Sequence, residues 1–177
     1  MDRVRETLFN WLQNDIAGAR CLDLFTGSGA LGLEALSRYA AEVVMIDKNP
    51  QAIRMIRQNL ELLKVDNAQL IKIDAADYLG SLLQAADGSN LPLFQRGTEG
   101  VNTFDIVFLD PPFNQQLVSV FCELLDKANC LSDRALIYIE IEKNTKLPQL
   151  ADNWTIIKEK KAGQLAYYLV RVKPSGM

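Results

Sequence analysis

A doubly wound α/β fold is predicted for this 177-residue chain: a mostly parallel, seven-stranded sheet with helices on both faces and an antiparallel C-terminal hairpin. Three observations predict it. Short apolar runs alternate with amphipathic stretches, which is the order of strands that run parallel and need a helix to cross back. A glycine-rich turn follows the first apolar run directly. Two β-rich runs meet at Gly163-Gln164 near the end of the chain.

Taken in order, the segment around Leu8, Phe9 and Trp11 reads as an N-terminal helix packing those three residues on the sheet. Arg20 to Phe25 is the first strand, followed by the glycine loop and a helix from about Leu31 to Tyr39. Glu42 to Asp47 is the second strand. Pro50 sits where a helix can begin, and Ile53, Ile56, Leu60 and Leu63 recur at helical spacing with Arg54, Arg57, Gln58 and Glu61 outward. Gln69 to Ile73 is the third strand, and Tyr78, Leu79, Leu82 and Leu83 mark the next helix. Gly88, Ser89, Asn90, Pro92, Gly97 and Gly100 then make residues 87–103 a long surface insertion. Phe104 to Leu109 is nearly all apolar, as suits a central strand covered on both faces. A helix carrying Leu117, Val118, Phe121, Leu124 and Leu125 leads to the fifth strand, Ala135 to Ile141. Thr155 to Lys160 and Leu165 to Val172 form the hairpin. One domain, 1–177, is the expected organisation, since a chain of this length buries about two thirds of the surface its unfolded form exposes.

Composition narrows the chemistry. Histidine is absent, so His-based triads, proton shuttles and His-ligated metals are excluded by inventory. Cys21, Cys122 and Cys130 are odd in number and lack close pair spacing, which argues against a disulfide framework or a zinc site and for a reducing, cytoplasmic setting. They read as small core hydrophobes, and no metal is expected. Nineteen basic and twenty-two acidic side chains give a net charge of −3, so any contact with nucleic acid is expected to be local. No stretch reads as a membrane span or signal core.

Two motifs carry the chemistry. Gly27 to Gly32 satisfies G-x-G-x-x-G between a strand and a helix, where glycines let a ligand approach the N–H groups at the positive end of the helix. Asp47 ends the second strand twenty positions after Gly27, the interval at which an acid accepts hydrogen bonds from the ribose of an adenosine-containing cofactor. Asp23 and Asp74 lie at further strand ends. Asp110-Pro111-Pro112-Phe113 follows the fourth strand; its prolines hold Asp110 extended, free local carbonyls as acceptors, and leave Phe113 as a flat surface for a base. In an open α/β sheet these strand ends form one crevice, so Asp23, Gly27, Asp47, Asp74 and Asp110 are expected to converge. A nicotinamide dinucleotide would use the same first elements but commonly needs additional chain for its hydride acceptor. S-adenosylmethionine needs a compact crevice in which a sulfonium methyl meets a nucleophile.

These residues resemble class I S-adenosylmethionine-dependent methyltransferases with a D/N-P-P-F/Y motif that act on an exocyclic or amide nitrogen. The segment Asp2 to Leu12, the run Gly27 to Arg38, the Asp110 motif and Ala135 to Glu140 are similar to the RsmD type, the bacterial 16S ribosomal RNA guanine-N2 methyltransferases, over essentially the whole chain. The resemblance implies a Rossmann-like domain, S-adenosylmethionine as cofactor, and small-subunit ribosomal RNA or the assembling small subunit as partner, with no membrane and a monomer favoured.

It further implies that Asp110 and the Pro111 carbonyl accept the two N–H bonds of the guanine amine while Phe113 stacks the base. Asp47 would hold the ribose hydroxyls, and Asp74 with the Ala75 N–H the adenine edge. The loop carrying Asp23, Phe25, Gly27, Ser28 and Gly29 would surround the amino-acid end, with Thr7, Phe9 and Asn10 closing it. Such proteins carry a basic segment before the opening motif, whereas this sequence starts at Met1 directly against Asp2, so a missing arm and weak RNA binding are the corresponding expectations; the insertion with Arg96 reads as a solvated variable loop, with RNA contact by Arg96 the alternative. Lys158, Lys160 and Lys161 read as a solvated strand end, and Trp154, Tyr167 and Tyr168 as hairpin packing. Of Glu140 and Glu142, one could face the crevice. Transfer to DNA adenine or a protein glutamine is the alternative within methyltransferases; an oxidoreductase and a noncatalytic RNA-binding factor lie outside it.

Overall fold

The structure is a computed structural model in which residues 2–86, 103–112 and 117–174 are described. In chain order its elements are α1 (Asp2–Trp11), β1 (Arg20–Asp23), α2 (Ala30–Ser37), β2 (Glu42–Asp47), α3 (Pro50–Leu63) and β3 (Ala68–Lys72). There follow α4 (Ala75–Ala86), β4 (Phe104–Leu109), α5 (Leu117–Lys127), β5 (Leu131–Glu142), β6 (Trp154–Ala162) and β7 (Leu165–Val172). The strands form one seven-stranded sheet in the order β3-β2-β1-β4-β5-β7-β6. β3 to β5 run parallel, whereas β7 is antiparallel to both β5 and β6.

The order explains where a ligand can bind. From β1 the chain winds outward through β2 to β3, then returns to place β4 on the other side of β1. Helices that leave β1 and β4 must therefore diverge to opposite faces, and a crevice opens above the ends of those two strands. The hairpin folds back so that β7, its second strand, lies inside beside β5, and β6 forms the edge. That order has no signal in the two β-rich runs taken separately. Within the edge strand, Thr155 to Lys161 are exposed.

Each face of the sheet carries its own apolar layer. One layer joins Leu22, Val44, Val107 and Ile137 to Tyr78, Leu79 and Leu82 of α4 and Phe121 and Leu125 of α5. The other joins Cys21, Met45, Phe108 and Tyr138 to Leu8 and Phe9 of α1, Ala35 of α2 and Ile56 and Leu60 of α3. Alternation along each strand divides the residues between the layers, as period-two geometry requires. α5 shows the helical counterpart: Val118, Phe121, Cys122 and Leu125 are buried at spacings of three and four. Each large apolar side chain so covered contributes about 1.5–3 kcal/mol of transfer free energy.

Local chemistry sets the boundaries. Asn49 caps α3 by accepting the Gln51 N–H at 2.9 Å, with Pro50 in the first turn. β1 stops at Asp23, so Leu24 and Phe25, expected in the strand, enter the turn. The Leu24 N–H still reaches the Phe108 carbonyl at 3.3 Å, and the Thr26 N–H donates to the Ile46 carbonyl at 2.9 Å, which ties the turn to both neighbouring strands. β5 begins at Leu131, four residues before Ala135, because Leu131 pairs with Phe104 ahead of an irregularity in the β4–β5 register. Cys21, Cys122 and Cys130 are buried free thiols. Trp154 and Tyr167 are buried and Tyr168 half-buried, in keeping with hairpin packing, and the edge-strand lysines are exposed. The insertion lies outside the described residues except for Thr103.

Candidate functional site

The glycine loop is held from inside by Asp23. This side chain is 2% exposed, and its Oδ2 accepts the Thr26 hydroxyl at 2.9 Å and the Gly32 N–H at 3.2 Å. Burial raises its pKa to about 6, opposed by the hydrogen bonds from Thr26, Gly32 and Phe25. Gly32 lets α2 lie directly on β2: a Cβ there would stand 2.6 Å from the Met45 methyl. Gly29 precedes α2 with φ 82°, a left-handed conformation that glycine adopts without strain, and its N–H donates to the Thr26 carbonyl at 2.7 Å.

The loop amides thus differ from the sequence expectation. Gly27, Gly29 and Gly32 all donate within the protein, Gly27 to Asp47 Oδ2 at 2.8 Å. The other Asp47 oxygen accepts the Asn49 N–H at 2.7 Å. A tight turn must satisfy its own amides before it can present a surface, and acids at two adjacent strand ends together with the Thr26 carbonyl do that here.

Above these strand ends lies a crevice of two lobes. The larger, about 620 Å³, has a floor of Phe25, Ile73, Leu117 and Phe121, and a polar rim that includes Asp47, Lys48, Asp74 and Asp110. Phe25 and Phe121 meet edge to face at 4.8 Å and form one apolar wall. Asp74 caps α4 by accepting the Ala76 N–H at 2.9 Å, and Lys48 Nζ lies 3.4 Å from its other oxygen. Ala75 opens the helix beside them, where first-turn amides have no partner inside the helix. The smaller lobe, about 170 Å³, is bounded by Asp23, Thr26, Gly27 and Ser28 on the loop, Val4 and Arg5 on α1, and Tyr138 on β5. Phe25, Gly27, Asp110, Glu140 and Leu165 line both lobes and mark their junction.

Asp110 therefore stands where the lobes meet, and Pro111 and Pro112 continue the wall of the larger one. Its carboxyl is raised to about 7, first by burial and then by the charges of Glu140 and Asp23. Leu109 and Ile139 are register partners in parallel strands, so Asp110 and Glu140 follow side by side. Glu140 Oε2 accepts the Tyr138 hydroxyl at 2.6 Å, and burial together with this acid raises the Tyr138 pKa.

Of the sequence-predicted residues, Asp23, Phe25, Gly27, Ser28, Asp47, Asp74, Ala75, Asp110 and Pro111 line the crevice. Gly29 is buried and does not line it, and Phe113 lies outside the described residues, as does Arg96. Phe9 packs on the sheet, as the reading of the N-terminal helix expects, and does not line the crevice: it is fully buried, 5.9 Å from the Phe108 ring. Leu8 is buried too, and Trp11 packs on Tyr167 at 5.4 Å. Val4 and Arg5, one helical turn earlier than Phe9, reach the lobe instead. Sequence reading also missed Lys48, Tyr138 and Leu165. Tyr138 had a readable signal, since it lies two positions from Glu140 and shares its face of β5. Leu165 had none, because the hairpin tip reaches the crevice only through the antiparallel placement of β7. Among the described residues, no group of three metal-ligating side chains is found and no helix is long and apolar enough to cross a membrane.

The family model described as Conserved hypothetical protein 95 matches residues 1–171. Ribosomal RNA small subunit methyltransferase D of Escherichia coli (strain K12) is 43% identical over 175 residues, 99% of this chain and 79% of the relative. The protein of the same name from Haemophilus influenzae is 40% identical over 170 residues, 95% of this chain and 79% of the relative. The solved structure of Escherichia coli yhhF superposes with a TM-score of 0.83 at 42% identity, covering 98% of this chain and 87% of that one.

Proposed function

The chain belongs to the Conserved hypothetical protein 95 family, and from that premise we propose that it transfers a methyl group from S-adenosylmethionine to the exocyclic N2 of a guanine in 16S ribosomal RNA. The observation that carries the reading is the position of Asp110 at the junction of the two lobes. A carboxylate there borders both lobes, so it could hold an acceptor amine beside a cofactor that the lining residues would bind. The small-subunit methyltransferases among its relatives support the RNA as acceptor. One domain acting in the cytoplasm on ribosomal RNA or the assembling subunit, with 87–103 as an insertion, completes the reading.

The residues present fit this cofactor. Asp47 keeps lone pairs beyond the two that the backbone uses, enough for a pair of ribose hydroxyls. Phe25, Ile73, Leu117 and Phe121 offer an apolar surface for an adenine, and Asp74 with the Ala75 N–H offers an acceptor and a donor to its edge. Asp23 gives the small lobe a negative wall that suits an ammonium group, while Arg5 suits a carboxylate. When bound, S-adenosylmethionine supplies an electrophilic methyl carbon whose bond to sulfur breaks with both electrons left on sulfur.

The chain's own part is to position the amine. Its lone pair is delocalised into the guanine ring, and Asp110 with the Pro111 carbonyl would accept its two N–H bonds and favour the tetrahedral nitrogen that attacks. The nitrogen–carbon bond forms from that lone pair, and the surplus proton leaves afterwards to a carboxylate or to water. No histidine is needed, because the amine becomes acidic only once methylated. Phe113 is assigned the stacking of the base. A guanine in a helix hides this group, so the target is unpaired or flipped.

Labelled S-adenosylmethionine offered with small-subunit particles, duplex DNA and a glutamine-bearing protein tests the reading. Label in the small-subunit RNA, mapping to N2 of a guanine, is expected. Label in DNA or protein, or none with the cofactor bound, overturns it.

A further inference from the structure

We infer that Glu140 determines base specificity, accepting the N1–H of the target guanine while Asp110 accepts from its amine. The inference rests on the guanine reading above. Four observations carry it. Glu140 lines both lobes, so it borders the place where the acceptor must enter. It stands next to Asp110 at the ends of adjacent parallel strands, one step past the Leu109–Ile139 pair. It is half-buried, and its Oε2 is fixed by the hydroxyl of Tyr138, itself 1% exposed. Among the described residues no cation pairs with it.

Guanine presents two neighbouring donors on this edge, N1–H and the 2-amino group. Adenine presents an amino donor beside N1, which is an acceptor. Two carboxylates side by side match the first pattern. Against the second, one of them would face a lone pair in a partly desolvated site, an unmatched contact that costs binding. Asp110 alone accepts from an amine of either base, so the discrimination requires a second fixed acceptor. Tyr138 is a positioning residue in this scheme: its hydroxyl orients the Glu140 carboxylate.

The test uses small-subunit particles reconstituted with RNA in which the methylated guanine is replaced by 2-aminopurine, which keeps the amine but has an acceptor at N1. The wild-type chain is expected to prefer guanine by about a hundredfold in kcat/KM. Glu140→Gln can donate its amide N–H to that acceptor and is expected to bring the preference below about tenfold, while cofactor affinity measured by calorimetry reports an intact crevice. Tyr138→Phe, with the same ring, is expected to give an intermediate preference. An unchanged preference in Glu140→Gln with cofactor still bound overturns the inference alone. Loss of cofactor binding in that variant overturns it as well, because the acid would then belong to the cofactor lobe. No transfer by the wild-type chain to guanine RNA instead overturns the guanine reading and this inference with it.

Discussion

Asp47 Oδ2 accepts the Gly27 N–H at 2.8 Å, so the acid that ends β2 and the first glycine of the loop after β1 form one structural unit. The spacing of twenty residues that suggests a ribose contact is also the spacing that lets this acid close the turn. Asp47 is therefore expected to act twice, as a brace for the loop and as the ribose acceptor.

Asp47→Ala removes both roles. Cofactor affinity is expected to fall by about 1–3 kcal/mol through loss of a charged acceptor, with the Gly27 and Asn49 amides left to water. Isothermal calorimetry reads this directly; an unaltered dissociation constant would remove Asp47 from the cofactor site.

Asp110→Ala is expected to lower methyl transfer by about a hundredfold or more with cofactor affinity nearly intact, since its acceptor is used on the target. Single-turnover rates at saturating cofactor check it. Turnover close to wild type would take Asp110 out of the reaction.

The raised pKa of Asp110, about 7, gives a pH dependence. Only the ionised carboxylate accepts without competing as a donor, so activity falls as the pH drops below about 7 and levels off above it. The facing acids are Glu140 and Asp23, whose charges sustain the shift after burial. In Asp110→Asn the carbonyl oxygen still accepts and nothing titrates at that position, so kcat/KM is expected to be lower and to lose this inflection. An inflection near pH 7 that persists in that variant assigns the titration to another group.

Asp23 contributes to stability with the opposite sign from a surface-paired acid. Its folded pKa of about 6 lies above the ordinary carboxyl value of 3.8, so between those pH values the folded chain holds more protons than the unfolded one. Stability is therefore largest below that window and is lost as the pH rises through it, by about 3 kcal/mol in total from this group. Denaturant unfolding of wild type and Asp23→Asn across the window is expected to show the difference shifting in favour of the variant with rising pH, whatever the offset at low pH. A difference independent of pH would show that Asp23 ionises normally.

Gly32→Ala places a methyl 2.6 Å from the end of the fully buried Met45. Met45 must then change rotamer in a packed layer, which is expected to destabilise the fold by about 1–3 kcal/mol. Shortening the obstacle with Met45→Ala in the same chain should leave the Gly32 substitution with little further effect. If thermal unfolding shows full additivity, the two residues do not compete for that space.

Much of this protein is legible along the chain, because the information is local. Strand and helix periodicity, the proline at the start of α3, the glycines of the loop and the rigid Asp110-Pro111 pair all act through near neighbours, and each element that they predict is present. The crevice follows too, since a strand order that reverses beside β1 brings the strand ends carrying Asp23, Asp47 and Asp110 to one side. Tertiary structure decided the rest. It turned the Gly32 and Gly27 amides onto Asp23 and Asp47 and the Gly29 amide onto the Thr26 carbonyl, because a tight turn satisfies its own donors before any ligand is present. It set Val4 and Arg5 at the small lobe through the docking of α1. It brought Leu165 to the junction by inserting β7 between β5 and β6, a pairing between segments far apart in sequence that no local pattern encodes.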